Sequence, residues 1–325
     1  MTERSGAGPA PRATVVIAAW NAAATIERAV DSALAQTLPV EVVVVDDASS
    51  DATAARVADR AATAPALRLL RQQVNAGPAA ARNRAIAESR APWIAVLDSD
   101  DTMTPGRLER LVARAEAADL DFLADDIEKV SEADPDGPRT RLWSDAPIGE
   151  IDIDAATFVE GNLSSRHGGR REMGFLKPVM RRAFLERHSL AYADMRLGED
   201  YELYARALIL GARFRLTDPA GYLATVRSGS LSDHHSTETH AVLMSADARL
   251  MALPQADART RAALAAHRLE QHKRWAWRRM IDAVKARDPA AALGCFRAPA
   301  PVMADLSLRL WRELWQRTLR PRRAG

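Results

Sequence analysis

From Thr14 onward the chain alternates short runs of β-branched apolar residues with longer stretches in which apolar positions recur every three or four residues. Val15, Val16, Ile17 and Ala18 form the first run, a helical period spans about Ala24 to Ala35, and Val40 to Val45 form the second run. This pattern predicts strand, helix, strand. A third unit follows, with Ala52 to Ala64 helical, Leu67 to Arg71 a short strand, Ala79 to Ser89 helical, and Trp93 to Leu97 a strand ending at Asp98. Unbroken apolar strands separated by helices imply a parallel sheet buried on both faces, joined by right-handed crossovers. In such a doubly covered α/β layout, ligands sit beyond the carboxyl ends of the strands. A further helix is expected over Leu203 to Leu210. After Ser232, long Ala, Leu and Arg stretches read as helices with no strand signal. The expected organisation is a loose Gly/Pro/Ala-rich leader over 1–12, an α/β region over 13–232 and a helical region over 233–325.

The acidic residues fall where the strands end. Val42 to Val45 run into Asp46 and Asp47, and Trp93 to Leu97 run into Asp98, Ser99, Asp100 and Asp101. Strand ends of one parallel sheet open on one crevice, so these carboxylates would converge and repel unless a cation or hydrogen-bond donors relieve them. A divalent ion such as Mg²⁺ or Mn²⁺, shared with substrate phosphates, satisfies that requirement. The plainer reading of such acids is helix capping, which suits Ser49, Ser50 and Asp51. Asn75 to Pro78 form a turn, and Arg82 and Arg84 follow on the first turns of a helix, an arrangement suited to a diphosphate. Glu199, Asp200 and Glu202 place three acids in four positions ahead of the Leu203 helix, which a dipole effect alone would also favour.

Composition narrows the picture. The 325 residues are 47% apolar and 27% charged, enough for a sizeable core in one large domain or two smaller ones. One cysteine, Cys295, excludes an intramolecular disulfide and a cysteine-rich zinc site. No uncharged apolar run approaches the ~18 to 20 residues that span a bilayer, and the opening residues lack the apolar core of a secretory signal. The formal charge of +2 conceals a division: residues 261–325 hold 15 Lys+Arg against 5 Asp+Glu, a balance of +10, leaving −8 for the first 260. Four of the seven tryptophans, Trp275, Trp277, Trp311 and Trp315, lie in this basic stretch. On a helical projection of Asp305 to Arg320, Leu306, Leu310, Trp311, Leu314 and Trp315 share one side, and Arg309, Arg312 and Arg320 the other. Such a helix either packs its apolar side on the protein or lies on an anionic membrane. Nothing in the stretch has the spacing of an RNA-recognition module, and no nucleic-acid partner is expected.

TVVIAAWN, VVVDDASSDAT, NAGPAAARNRAI, WIAVLDSDD and MGFLKPVMRRAFLE followed by GEDYEL, in this order, resemble the family 2 glycosyltransferases of the GT-A fold, similar to bacterial succinoglycan and exopolysaccharide transferases. The resemblance covers roughly residues 13–232. It implies a Rossmann-like, mixed but mainly parallel sheet with flanking helices, to which this chain adds its helical extension. It further implies metal-dependent, inverting transfer from a nucleotide-sugar, with UDP the expected nucleotide, to a glycan or a polyprenyl-diphosphate-linked acceptor. The setting it implies is cytoplasmic, peripheral to the inner face of the plasma membrane.

Carried over by position, the resemblance places Ala18 and Trp20 beside the nucleobase, with Trp20 stacking, and Asp47 as the acid that accepts from the base. A carboxylate is a sensible partner for the imide N–H of uracil. Arg82 matches an arginine that approaches the donor. Asp98, Ser99 and Asp100 match the DxD motif, Asp98 facing ribose or sugar and Asp100 contacting the metal, with Asp98 also near it and Asp101 behind. Asp200 matches the general base, although Glu199 is chemically able to serve. The stretch Arg166 to Lys177 is the candidate acceptor region, with Phe175 and Lys177 its named residues. One position departs from the pattern: many relatives place a histidine metal ligand where Arg227 stands. Arginine binds no metal, so Arg227 is assigned to the diphosphate, and His234 and His235 are the alternative imidazoles.

Other functions share some of these residues. Asp98, Asp100 and Thr102 also fit a DxDxT pattern resembling haloacid-dehalogenase-like phosphatases, with Asp98 as nucleophile. That motif ends the first strand of those domains, whereas here a strand, a helix and the DD pair precede it. An acid-lined receiver domain leaves the Glu199–Asp200 region without a role. A non-catalytic nucleotide-sugar-binding module shares every binding residue and differs only in turnover.

Overall fold

In the computed structural model, residues 9–134, 137–164, 172–226 and 236–319 are described. The chain falls into two compact units, Met1–Ser230 and Leu231–Gly325. The first contains β1 (Ala13–Ala19), α1 (Ile26–Leu34), β2 (Val40–Asp46), α2 (Thr53–Ala61), β3 (Leu67–Arg71), α3 (Pro78–Ala87) and β4 (Trp93–Val96). These elements follow the predicted order, with ends within about three residues. β2 pairs with both β1 and β3, and β1 also pairs with β4, all in parallel. Alternation then decides what each face buries. Val15, Ile17, Val42, Val44, Ala95 and Leu97 share one core with Ala29, Val30, Leu108 and Leu111. Val16, Val43, Val45, Ile94 and Val96, equally buried, alternate with them, and α3 packs on β1 and β2.

The chain continues through β5 (Thr102–Met103), α4 (Arg107–Ala117), β6 (Phe122–Asp125), β7 (Glu128–Ser131), β8 (Thr140–Arg141), β9 (Glu150–Ile153), α5 (Ala155–Glu160) and β10 (Val179–Arg181). It completes the unit with α6 (Arg182–Arg187), α7 (Glu199–Ile209), β11 (Phe214–Thr217) and β12 (Tyr222–Val226). The main sheet has the order β3-β2-β1-β4-β10-β6-β11-β9, and a small sheet has the order β5-β12-β7-β8. β10 is the strand that departs from a doubly wound plan, because it lies antiparallel between β4 and β6. Its register, Val179 opposite Ala95, runs the preceding residues back toward the end of β4, so Lys177 arrives beside Asp98. The helix expected from Leu203 starts earlier, at Glu199, because Gly198 adopts a left-handed φ of 84° and serves as its N-cap. The three acids therefore form the first turn of α7 itself.

The second unit is helical: α8 (Thr237–Met251), α9 (Ala258–Ala286), α10 (Pro289–Gly294) and α11 (Ala300–Leu319). Ser236, Asp257 and Asp288 cap α8, α9 and α10 by accepting from the amides of Thr239, Thr260 and Ala291. α9 packs against α8, α10 and α11. On α11 the predicted apolar side divides along the helix. Leu306 is buried with Met280 and Cys295, and Leu310 is partly buried beside them. Trp311, Leu314 and Trp315 stay 57%, 64% and 54% exposed. Arg320 lies outside the described residues. No described helix is long and apolar enough to cross a membrane.

Candidate active site

Two loops at the carboxyl ends of β1 and β2 are stitched together. Asn21 donates its amide to Ser49 Oγ and accepts from the Ser50 amide, and the amides of Ala22 and Ala23 reach Thr53 Oγ1 and Asp51. Asp51 also accepts from the amide of Thr53, the first residue of α2, whose N-cap Ala52 has no side-chain cap, while Ser49 and Ser50 bond Asn21 rather than cap the helix. Ala18 is half-buried at the end of β1, and Trp20 beyond it is 51% exposed. Asp47 is buried. Its Oδ1 accepts from Gln72 Nε2 at 2.7 Å and the Ala76 amide at 2.8 Å, and its Oδ2 accepts from the Gly77 amide at 2.7 Å. The amides that lead into α3 are thus directed at a carboxylate of the chain itself. Beside it, Asp46 Oδ1 and Asn75 Oδ1 are buried with no hydrogen-bond partner among the described residues.

Of the two arginines on α3, only Arg82 reaches the acids after β4 and at the start of α7. Arg84 turns to Glu88 and the Arg71 carbonyl. Arg82, with a side chain 6% exposed, donates from Nη2 to Asp98 Oδ1 at 2.8 Å and from Nη1 to Glu199 Oε1 at 2.8 Å and Asp200 Oδ1 at 3.1 Å. Its guanidinium lies 5.4 Å from the centre of the Tyr192 ring. Lys177, 5% exposed, donates from Nζ to Asp200 Oδ2 at 2.7 Å and lies 3.2 Å from Asp98 Oδ2. Three carboxylates therefore surround two cations, and the DxD and Glu-Asp motifs, about 100 residues apart, become one cluster.

The charges divide unequally. Burial would raise the Asp98 carboxyl, but Lys177 and Arg82 pull it below its ordinary value. Burial pushes Glu199 up, Arg82 pulls it down and Asp200 pushes it up again, with a net rise. Burial would lower Lys177, but Asp200 and Asp98 raise it above the usual lysine range. Glu199 meets Arg82 alone among the two cations, while Asp200 faces both from the first turn of α7.

Asp101 stands behind this cluster. Its Oδ2 accepts from Tyr222 Oη and its Oδ1 from the Thr225 amide, both at 2.8 Å, while the Asp98 amide donates to Tyr222 Oη at 3.2 Å. Burial, with Asp98 and Asp100 nearby, pushes Asp101 up to about 7. Both oxygens of Asp98 and both of Asp101 thus accept or pair within the chain, and Asp100 lies half-buried in the same loop. No group of three or more His, Cys, Asp or Glu among the described residues is arranged to hold a metal alone. The Asp98–Asp100 pair expected at the metal fits a hard divalent ion that completes its shell with substrate phosphates and water. Arg227, His234 and His235 lie outside the described residues, as does most of the stretch before Met173. Phe175, at the end of a short turn over Met173–Phe175, is 38% exposed.

Two residues without a counterpart in the sequence reading organise the site. Arg107, fully buried, donates to Asp125 from Nε at 3.0 Å and from Nη2 at 2.6 Å, and to the Lys177 carbonyl at 2.5 Å. It also lies 5.0 Å from the centre of the Tyr222 ring. Arg107 and Tyr222 therefore brace Lys177 and the Asp98 loop from below. An arginine in an amphipathic helix gives no sequence signal for burial; only the facing Asp125 does.

Comparison with known proteins bears on the family and the fold. The glycosyl transferase family 2 matches residues 14–183. The succinoglycan biosynthesis protein ExoU of Rhizobium meliloti is 45% identical over 271 residues, which are 82% of this chain and 78% of that protein. ExoO of the same organism is 44% identical over 225 residues, 68% of this chain and 63% of that protein. Among solved structures, S. aureus TarS 1–349 in complex with UDP superposes with a TM-score of 0.65 at 19% identity, covering 96% of this chain and 93% of that one. The Pyrobaculum calidifontis mannosyltransferase PcManGT, in complex with GDP-Man and Mn²⁺, gives 0.55 at 19% identity over 94% and 81%. With its GT-A fold and its acids gathered at the strand ends, the chain belongs to glycosyl transferase family 2.

Proposed function

We propose that this glycosyltransferase moves a sugar, with inversion, from a UDP-sugar to a hydroxyl of a lipid-linked glycan during exopolysaccharide synthesis of the succinoglycan type. The observation that carries the reading is Asp200, held between Arg82 and Lys177 at the start of α7 and joined through both to Asp98. As the acceptor oxygen bonds to the anomeric carbon, the bond from that carbon to the diphosphate oxygen breaks, and the acceptor proton passes to Asp200. Asp98 orients ribose or sugar, and Arg82 lies where it meets charge developing on the departing diphosphate. Asp47, with one lone pair beyond its three hydrogen bonds, accepts from the base, and Trp20 offers an exposed ring beside it. A Mn²⁺ or Mg²⁺ ion on Asp100 supplies Lewis-acid stabilisation of the diphosphate when bound, and Arg227 is assigned to the diphosphate oxygens.

The exposed end of α11, with Trp311 flanked by Arg309 and Arg312, suits the surface of an anionic membrane on the cytoplasmic side, where a polyprenyl-diphosphate-linked acceptor would be met. The deciding experiment incubates the protein with Mn²⁺ or Mg²⁺ and a panel of UDP- and GDP-sugars. Selective binding with slow donor hydrolysis supports the transferase reading. Binding without turnover, even with membrane-extracted acceptor, identifies a non-catalytic module, and absence of binding overturns the donor assignment.

A further inference from the structure

We propose that Lys177 is a positioning residue through which the donor-side acid Asp98 and the base Asp200 act as one unit. The inference rests on the assignment of Asp200 as base and adds the device that orients it. Among the described residues Asp200 accepts three hydrogen bonds: from Arg82 at 3.1 Å and the Tyr204 hydroxyl at 3.4 Å on Oδ1, and from Lys177 at 2.7 Å on Oδ2. The shortest of these, and the one on the second oxygen, comes from Lys177. The same ammonium lies 3.2 Å from Asp98, so it sets the spacing of the two carboxylates across the crevice. A side chain of four rotatable bonds needs a fixed root to do this. Two features provide it: the antiparallel pairing of β10 with β4, and the grip of buried Arg107 on the Lys177 carbonyl at 2.5 Å. Lysine suits the task because its compact ammonium offers three donors that can serve two carboxylates at once.

The position of Lys177 also redefines its expected part in acceptor binding. A group 5% exposed and directed at two carboxylates acts on the acceptor through Asp200, whereas Phe175, two residues earlier, has the exposure for direct contact.

The test uses the full chain and the nucleotide-sugar selected by the panel. Lys177→Met keeps the length of the stem and removes the charge. Its kcat is expected to fall about 100-fold, the scale of a misplaced reacting group, with the Kd for UDP in Mn²⁺ and the acceptor KM each within about threefold of the parent. Lys177→Arg, which restores a cation, should recover at least tenfold. In an Asp200→Asn background, Lys177→Met should change the residual rate by less than about threefold, because a residue acting through Asp200 has nothing further to lose. A kcat within threefold of the parent for Lys177→Met overturns the proposal. So does a loss confined to acceptor KM, which would make Lys177 an acceptor contact, or a further 100-fold loss in the Asp200→Asn background. If Lys177→Met does not fold, Lys177→Gln replaces it under the same criteria. Full transfer by Asp200→Asn alone would remove the base assignment itself, an outcome separate from those that concern Lys177.

Discussion

In the helical unit, four buried polar side chains form a single file. His240 Nδ1 contacts Gln271 Oε1 at 2.9 Å, Gln271 Nε2 contacts His267 Nε2 at 3.1 Å, and His267 Nδ1 contacts Asp247 at 2.9 Å. In the α/β unit, Asp98, Glu199 and Asp200 crowd around Arg82 and Lys177. The file pairs each of those atoms with a complementary partner, and all four side chains are buried. The crowd has more acids than cations, and the Arg82 Nε is buried without a partner among the described residues. Its Asp98 side chain is also 33% exposed. Buried polar networks that close on themselves fix a packing arrangement, whereas surplus charge that opens on a crevice awaits a ligand. The difference between the two clusters is therefore one of completion rather than of residue type.

The largest expected effect separates them by activity. Asp200→Asn should lower transfer by about 1,000-fold, within the range for a lost general base, and leave UDP binding intact by calorimetry. Loss of UDP binding would show Asp200 to be donor-facing and would weaken the contrast. Asp247→Ala should do the reverse. Leaving the His267 Nδ1 donor buried and unsatisfied, beside a cavity, should cost about 3 kcal/mol in denaturant unfolding, with the Kd for UDP unchanged. A variant of normal stability would mean that the file contributes little to holding α8 on α9.

Parallel βα units were legible because β1, β2 and β4 are apolar runs, and the DxD motif was visible because β4, like β2, runs straight into acids, while the Glu-Asp pair stood out as three acids in four positions ahead of a helix. The cluster that joins those motifs was not. Lys177 reaches Asp98 through an antiparallel strand of three residues, Val179–Arg181, too short to show a period of two. β5 and β8 have two residues each and are equally silent in sequence. Arg82 and Arg84 are indistinguishable by spacing, since which of them faces the acid cluster depends on how α3 rotates against β1 and β2. That Asp47 takes the amides of Ala76 and Gly77 just ahead of α3 was not legible, because the Asn75 to Pro78 turn shows no sign of which side chain it folds over. The amphipathic side of α11 was found as a pattern, but where it leaves the core depends on the reach of Met280 and Cys295, which no pattern within α11 contains.

Between these extremes lies Gly77, at φ 88° and ψ 168°, a region open almost only to glycine. Its amide must also stay directed at Asp47. Gly77→Ala should cost about 2 kcal/mol and weaken UDP binding more than it slows turnover of bound donor. Equal binding by the variant would mean that the Asp47 turn serves the fold and not the donor.

The smallest expected effect on stability belongs to the end of α11. Trp311 is 57% exposed and stacks on Trp315, ring centres 5.5 Å apart, so Trp311→Ala should change unfolding free energy by no more than about 0.5 kcal/mol. Its neighbour in the pattern, Leu306, is 1% exposed, and Leu306→Ala should cost several times more, about 3 kcal/mol. A membrane role inverts that order. Flotation with liposomes containing anionic phospholipid should fall for Trp311→Ala, and more steeply when Arg312 is also replaced, because interfacial binding adds an aromatic contribution to roughly 1 kcal/mol per basic residue at the surface. Flotation that depends on the arginines alone would reduce α11 to an electrostatic contact. Flotation indifferent to both would leave the exposed tryptophans without a membrane function and return the basic charge of this region to solvent.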